Sequence, residues 1–221
     1  GQVSLQDSLD LLDQALPAHV LVENQQALPF NHSITLSSIS FRYSSETPYV
    51  LKELNLSIRK GSRIGFIGPT GSGKSSLIDI LMGLLPPTEG KLAVDGRPVT
   101  SDNYRGWQKQ IAHVPQVIFL ADSTIAENIA FGVPKEKIDL IRVERAAQQA
   151  QIANSIEGWP NRYDTFVGER GIRLSGGQRQ RIGIARALYK QADVIVFDEA
   201  TSALDNDTEQ AVMQAIEGLS H

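Results

Sequence analysis

The sequence predicts an α/β fold with a core of parallel strands, an antiparallel β lobe ahead of it and an inserted α-helical lobe. Three observations carry that expectation. Gly68-Pro69-Thr70-Gly71-Ser72-Gly73-Lys74-Ser75 stands between a strand-like and a helix-like run. Val194-Ile195-Val196-Phe197 is an unbroken apolar run ending in Asp198-Glu199, as in a parallel strand buried on both faces. Between Ile34 and Arg59 apolar and polar residues alternate, which suits antiparallel strands with one face on a core.

Size and composition bound the rest. A chain of 221 residues with 41% hydrophobic and 21% charged residues suits one soluble domain, with room for an inserted lobe. The net charge of −4 gives no basic field for DNA or RNA. The absence of cysteine excludes disulfides and thiol chemistry. Strictly apolar runs are only a few residues long, so a membrane span is expected to come from elsewhere, and residues 1–30 lack a signal-peptide pattern.

Residues 68–75 fit G-x-x-x-x-G-K-[ST], the phosphate-cradling loop. Gly68, Gly71 and Gly73 let the backbone close around an anion, since no Cβ blocks its approach. The amides of Thr70, Ser72 and Lys74, with the helix N-terminus, are then expected to face phosphates. Lys74 is placed to reach the outer phosphates, with Ser75 on Mg²⁺. Arg63-Ile64-Gly65-Phe66-Ile67 is expected as a short buried strand ahead of the loop, and residues 76–82 as the helix after it, beginning at Ser76. The core is thus that of a P-loop NTPase.

Taken in order, residues 1–30 look separate. Leu5, Leu9, Leu12 and Leu16 share one helical face, Ser4 with Asp7 makes a capping box, and Pro17 and Pro29 mark boundaries. Ile34–Leu36, Ile39–Tyr43 and Leu54–Ile58 read as strands, and Tyr43 on that lobe is an aromatic able to stack on a base. Lys91–Val94 is a further strand ahead of a tight turn, and Ile111–Gln116 reads as a strand that ends in a polar residue. Apolar residues between 123 and 165 recur at helical intervals, an inserted helical lobe. Asp198 and Glu199 then fall at the C-terminal end of a strand, where open α/β sheets bind ligands. Asp198 is expected to hold Mg²⁺ through water, and Glu199 to orient or deprotonate an attacking water.

Leu174-Ser175-Gly176-Gly177-Gln178 leads into a second helix. Ser175 at an N-cap followed by glycines describes another helix start able to meet an anion. The arginines 170, 173, 179, 181 and 186 read as a solvated or phosphate-attracting face, and no aromatics are interleaved among them as single-stranded nucleic acid would require. An Asn-Lys-x-Asp for guanine is absent, and Ser76 stands where a dinucleotide fold would want its third glycine.

The phosphate loop, Leu174–Gln178 and Asp198-Glu199, in this order, resemble the nucleotide-binding domain of an ATP-binding cassette (ABC) transporter over residues of about 33–220. The resemblance implies ATP and Mg²⁺ as ligands, Ser76 with the phosphate loop among the nucleotide-binding residues, Tyr43 as the adenine-stacking aromatic, and Gln116 as the residue coupling Mg²⁺ and water to the membrane partner. It implies Lys74, Gln116 and Glu199 as catalytic residues and Ser75, Gln116 and Asp198 around the metal. Ser175, Gly176, Gly177 and Gln178 would face a second cassette's nucleotide, and Ser202–Asp205 would cross the dimer interface. Thr165–Gly171 is similar to a segment of the family's exporters rather than importers. Gly83–Gly90 and Asp205–Glu209 look more like exporters of polysaccharide or lipid-linked sugar than of drugs. The implied organisation is a connector over 1–30 from a membrane region, then a cassette over 31–221 with its helical lobe at about 117–185. Its partners are its own transmembrane domain and a second cassette, as a homodimer rather than a heterodimer, with no nucleic acid. Its place is the cytoplasmic face of a membrane, the bacterial inner membrane. The family's switch histidine is expected one helix and one strand beyond Asp205. His221 comes too early and His19, His32 and His113 lie elsewhere, so the chain reads as C-terminally truncated and slow in turnover. A soluble cassette acting on ribosomes or nucleic acid is the alternative; a second cassette, a basic arm or a coiled coil would favour it.

Overall fold

The computed structural model describes residues 28–168, 172–198 and 204–218. The expected helix at Leu5–Leu16, as well as Glu199 and His221, lies outside the described residues.

The alternation in residues 34–59 becomes two long antiparallel strands, β1 (Ser33–Phe41) and β2 (Leu51–Arg59). The phosphate loop and helix α1 (Lys74–Leu81) follow. Strands β3 (Glu89–Val94) and β4 (Arg97–Pro98) then complete an antiparallel sheet of order β2-β1-β3-β4. One face of this sheet, through Ile34, Leu36, Ile39 and Val94, packs with Leu77, Ile80 and Leu81 of α1 in a common core. Burial on the order of 1.5–3 kcal/mol per such side chain seats α1, and with it the loop, against the sheet. An extra residue in β1 shifts the pairing with β3 between Ser37 and Ser40. Gly90 makes that bulge possible: at φ 85° its added Cβ would stand 2.4 Å from the carbonyl oxygens of Ser37 and Ser38.

Helix α2 (Tyr104–Lys109) was not legible as an amphipathic pattern, because six residues are too few to display one. It carries Trp107, fully buried, whose Nε1 donates to the Leu81 carbonyl at 2.8 Å and whose ring meets Phe30 edge-on at 6.1 Å. This indole ties the C-terminal end of α1 to the segment entering β1.

Strand β5 (Ile111–Val114) opens the second half. The short pair β6 (Ser123–Thr124) and β7 (Phe166–Val167) brackets helices α3 (Ile125–Ile129), α4 (Leu140–Gln149) and α5 (Ala153–Glu157). Helix α6 (Gly176–Lys190), strand β8 (Val194–Phe197) and helix α7 (Asn206–Glu217) complete the described chain. β5 and β8 are parallel, from Ile111 opposite Val194 to Val114 opposite Phe197. β8 divides its side chains between two cores. Val194 and Val196 pack with the antiparallel lobe, whereas Ile195 and Phe197 pack with the core of α3 to α6. The period-2 direction of strand side chains thus joins the lobes.

Two expectations need correction. Residues 63–67 form no strand: the chain from 62 to 69 carries no ladder, and Ile67 is 99% exposed. A strand exists only where a neighbouring edge receives its hydrogen bonds, and β8 pairs with β5 alone among the described residues. Gly65, with no side chain to pack, weakens the segment further. For the same reason β8 is half-buried along its length rather than sealed on both faces. No described helix is long and apolar enough to cross a membrane.

Candidate functional site

The phosphate loop is exposed from Gly68 to Ser72 and turns into α1 through two glycines in the left-handed region, Gly71 at φ 82° and Gly73 at φ 86°. A Cβ on Gly73 would lie 2.9 Å from the Leu51 side chain and 3.1 Å from the Val50 carbonyl. Conformation and space therefore both require glycine there. Gly73 is the N-cap of α1, and no side chain caps the first turn. The Lys74 ammonium folds back onto the loop and donates to the carbonyls of Gly68 at 2.5 Å and Pro69 at 2.9 Å. The cation thus already sits beside the amides that a phosphate would meet.

Tyr43 stands two residues beyond β1, is 66% exposed as a residue, and sets its ring edge-on to Phe41 at 4.9 Å. Its hydroxyl shares a hydrogen bond of 2.9 Å with Ser76 Oγ, in the first turn of α1. The tertiary fold therefore brings the aromatic and the phosphate loop together. Ser76 is buried and engaged with the ring that flanks the loop, a link that sequence alone does not show.

Asp198 follows β8 directly, and its amide donates to the Val114 carbonyl at 3.1 Å. Gln116 lies exposed two residues beyond β5. The parallel register brings Asp198 and Gln116 to the same, C-terminal, end of the pair. The donor set of Ser75 hydroxyl, Asp198 carboxylate and Gln116 amide oxygen is all hard oxygen. That fits Mg²⁺, a hard cation held through one or two carboxylates, with other oxygens, water and phosphate completing its shell. Glu199, expected as the base, lies outside the described residues.

At the second helix start the expected N-cap is present. Ser175 Oγ accepts from the Gln178 amide at 3.2 Å, and Gln178 Oε1 accepts from the Ser175 amide at 2.9 Å. This is a reciprocal capping box. Arg181 donates to the Gly177 carbonyl and to the Gln151 carbonyl, so it is a structural tie and not a free surface charge. Arg186 is likewise engaged inside the helical lobe. Asp205 caps α7, accepting from the Thr208 amide at 2.9 Å and its hydroxyl at 2.8 Å. The Thr208 amide, then its hydroxyl, hold the Asp205 carboxyl below its ordinary value.

Fold and site together define a P-loop nucleotide-binding domain with a signature helix of its own. The family described as "ABC transporter" matches residues 51–202. This chain belongs to that family, and its fold is the family's nucleotide-binding ATPase domain, a mixed α/β cassette with an antiparallel sheet. An ATP-dependent lipid A-core flippase of Cupriavidus metallidurans is 41% identical over 187 residues, 84% of this chain and 32% of the relative. One from Chromohalobacter salexigens is 39% identical over 217 residues, 98% of this chain and 37% of the relative. A bacterial Atm1-family ABC exporter solved with ATP bound superposes with a TM-score of 0.86 at 34% identity, covering all of this chain and 38% of that one. The chain spans about a third of the length of the curated relatives it matches.

Proposed function

We propose that the chain is the ATP-hydrolysing motor of an exporter or flippase, with cassettes acting in pairs at the cytoplasmic face of a membrane. The observation that carries this reading is the pairing of an open phosphate loop at Gly68–Ser75 with a separate glycine-led helix start at Ser175. One chain holds two halves of a phosphate site, and two chains meeting head to tail would complete two sites.

In this reading Lys74 and the loop amides bind the phosphates of ATP, and Tyr43 offers its exposed ring to the base. Ser75, Asp198 and Gln116 would hold Mg²⁺, which would supply positive charge against the phosphates. Glu199 orients and deprotonates the attacking water. Gly176, Gly177 and the capped pair Ser175 and Gln178 close over the partner's nucleotide, and the Ser202–Asp205 loop crosses the interface. Residues 1–30 serve as the connector to a transmembrane region, residues 31–221 as the cassette, and about 117–185 as the helical lobe that meets that region. A homodimer at the bacterial inner membrane belongs to the same reading, and relatives named as lipid A-core flippases support a lipid-linked sugar as the cargo.

Mixing tests the shared site. Lys74→Ala and Ser175→Arg are each prepared alone, and each homodimer carries a broken element at both of its sites. Shared sites give the mixed dimer one site with an intact loop and an intact signature, so mixing is expected to recover part of the ATPase activity. Mixtures no more active than their parents, with heterodimer formation demonstrated, would sink the proposal.

A further inference from the structure

The segment that carries Gln116 leaves β5 and runs to β6, and α6 grips it at two successive residues, Ile118 and Phe119. Ile118 fills the space over Gly183, where an added Cβ would stand 2.4 Å from the Ile118 Cδ1. Arg186 Nη2 donates to the Phe119 carbonyl at 3.1 Å. Its Nε donates to the Asn128 carbonyl at 2.9 Å, and Nη2 also reaches Asn128 Oδ1 at 3.4 Å. Asn128, fully buried on α3, holds the far end of the segment: Oδ1 accepts from the Ala121 amide at 2.9 Å and Nδ2 donates to the Ala121 carbonyl at 3.0 Å. The Phe131 ring covers the guanidinium, 4.5 Å from its carbon. Burial pushes this guanidinium below its ordinary value. A planar fork with several donors matches two divergent carbonyls in a way that a lysine ammonium does not.

We infer that Arg186, with Asn128, is a positioning residue that locks the Gln116 segment to α6, so that Gln116 and the Ser175–Gln178 start move as one body. The grip at Gly183 and Arg186 lies about 12–16 Å along α6 from Ser175, at roughly 1.5 Å per residue. α6 runs unbroken between these points. A displacement of the segment at Phe119 is therefore delivered to the signature by a rigid rod. The catalytic consequence rests on the motor reading: Arg186 bonds the backbone of the segment and Asn128 and acts through the segment it holds.

The chain has no cysteine, so a spin-label pair at Val117→Cys and Arg179→Cys, both exposed positions, reports this one distance without background. Measured without nucleotide, the pair is expected to give a single narrow distance distribution. Arg186→Met is expected to widen it by about twofold or more, a change on the collective scale of loop and helix motion. Arg186→Lys, which keeps the cation but reaches only one carbonyl, falls between and serves if the methionine variant does not fold. Lys190→Met is the control, since Lys190 is also on α6 and also bonds backbone carbonyls, those of Gln108 and Ile111, away from the Gln116 segment. It is expected to leave the distribution narrow. An unchanged width in Arg186→Met, or equal widening in Lys190→Met, overturns the inference. In turnover, Arg186→Met is expected to lower kcat by about tenfold with KM for ATP moved less than about threefold. Wild-type chain that fails to bind MgATP would sink the motor reading and leave the distance result standing.

Discussion

At the start of α1 the N-cap is a glycine at φ 86° and no side chain caps the first turn; at the start of α6, Ser175 and Gln178 cap each other's amides. Glycines stand at both helix starts, before α1 and in the first turn of α6, and both ends carry the partial positive charge of a helix dipole. They differ in what is left for a ligand. The α1 turn keeps its amides open, with Lys74 resting on the loop's own carbonyls until an anion competes for it. The α6 turn has met part of its need internally and is tied by Arg181 to Gln151 in the helical lobe. One is an open socket for an anion; the other is a firm, weakly attracting face. A firm face suits a surface that closes over a phosphate already held elsewhere.

Lys74→Ala breaks the comparison most sharply. Removing a charge-assisted contact of up to about 3 kcal/mol is expected to weaken MgATP binding on the order of 100-fold, read by calorimetry on the isolated chain. Unchanged affinity would mean that the open socket is not where the nucleotide sits. Tyr43→Ala removes the exposed ring and its bond to Ser76, and is expected to lose roughly 1–3 kcal/mol of ATP affinity if the base stacks there. Here Tyr43→Phe separates the two effects, because it keeps the ring and drops the hydroxyl. Smallest is Ser175→Ala, which removes the cap of α6 and is expected to lower thermal stability by about 1 kcal/mol. The isolated chain should keep its ATP affinity in this variant. A large loss of affinity would show the second helix start working as a socket in its own chain.

Much of the site was legible because its motifs are local. A loop whose glycines, lysine and serine are consecutive announces its chemistry without knowledge of the fold, and Ser175 ahead of two glycines announces an N-cap, although its reciprocal bond with Gln178 came from the structure. The antiparallel strands were legible for a related reason, since Leu54, Leu56 and Ile58 alternate as the half-buried face of β2 requires. The arginines misled in part. Arg181 and Arg186 are alike on paper, yet both bind carbonyls that lie 30 or more residues away in sequence.

The sequence alone determined the loop, the signature and the acid-tipped strand, because each depends on residue types at fixed short spacing. Tertiary structure decided which strands exist and what each side chain serves. Residues 63–67 read as a strand but found no edge to pair with, and ladder bonds come from a neighbour rather than from composition. Trp107, Asn128 and Gly183 carried no recognisable pattern, and Ser76 none that pointed to Tyr43. Their roles arise from contacts with Leu81, Ala121, Ile118 and Tyr43, and only the folded chain brings those partners within reach.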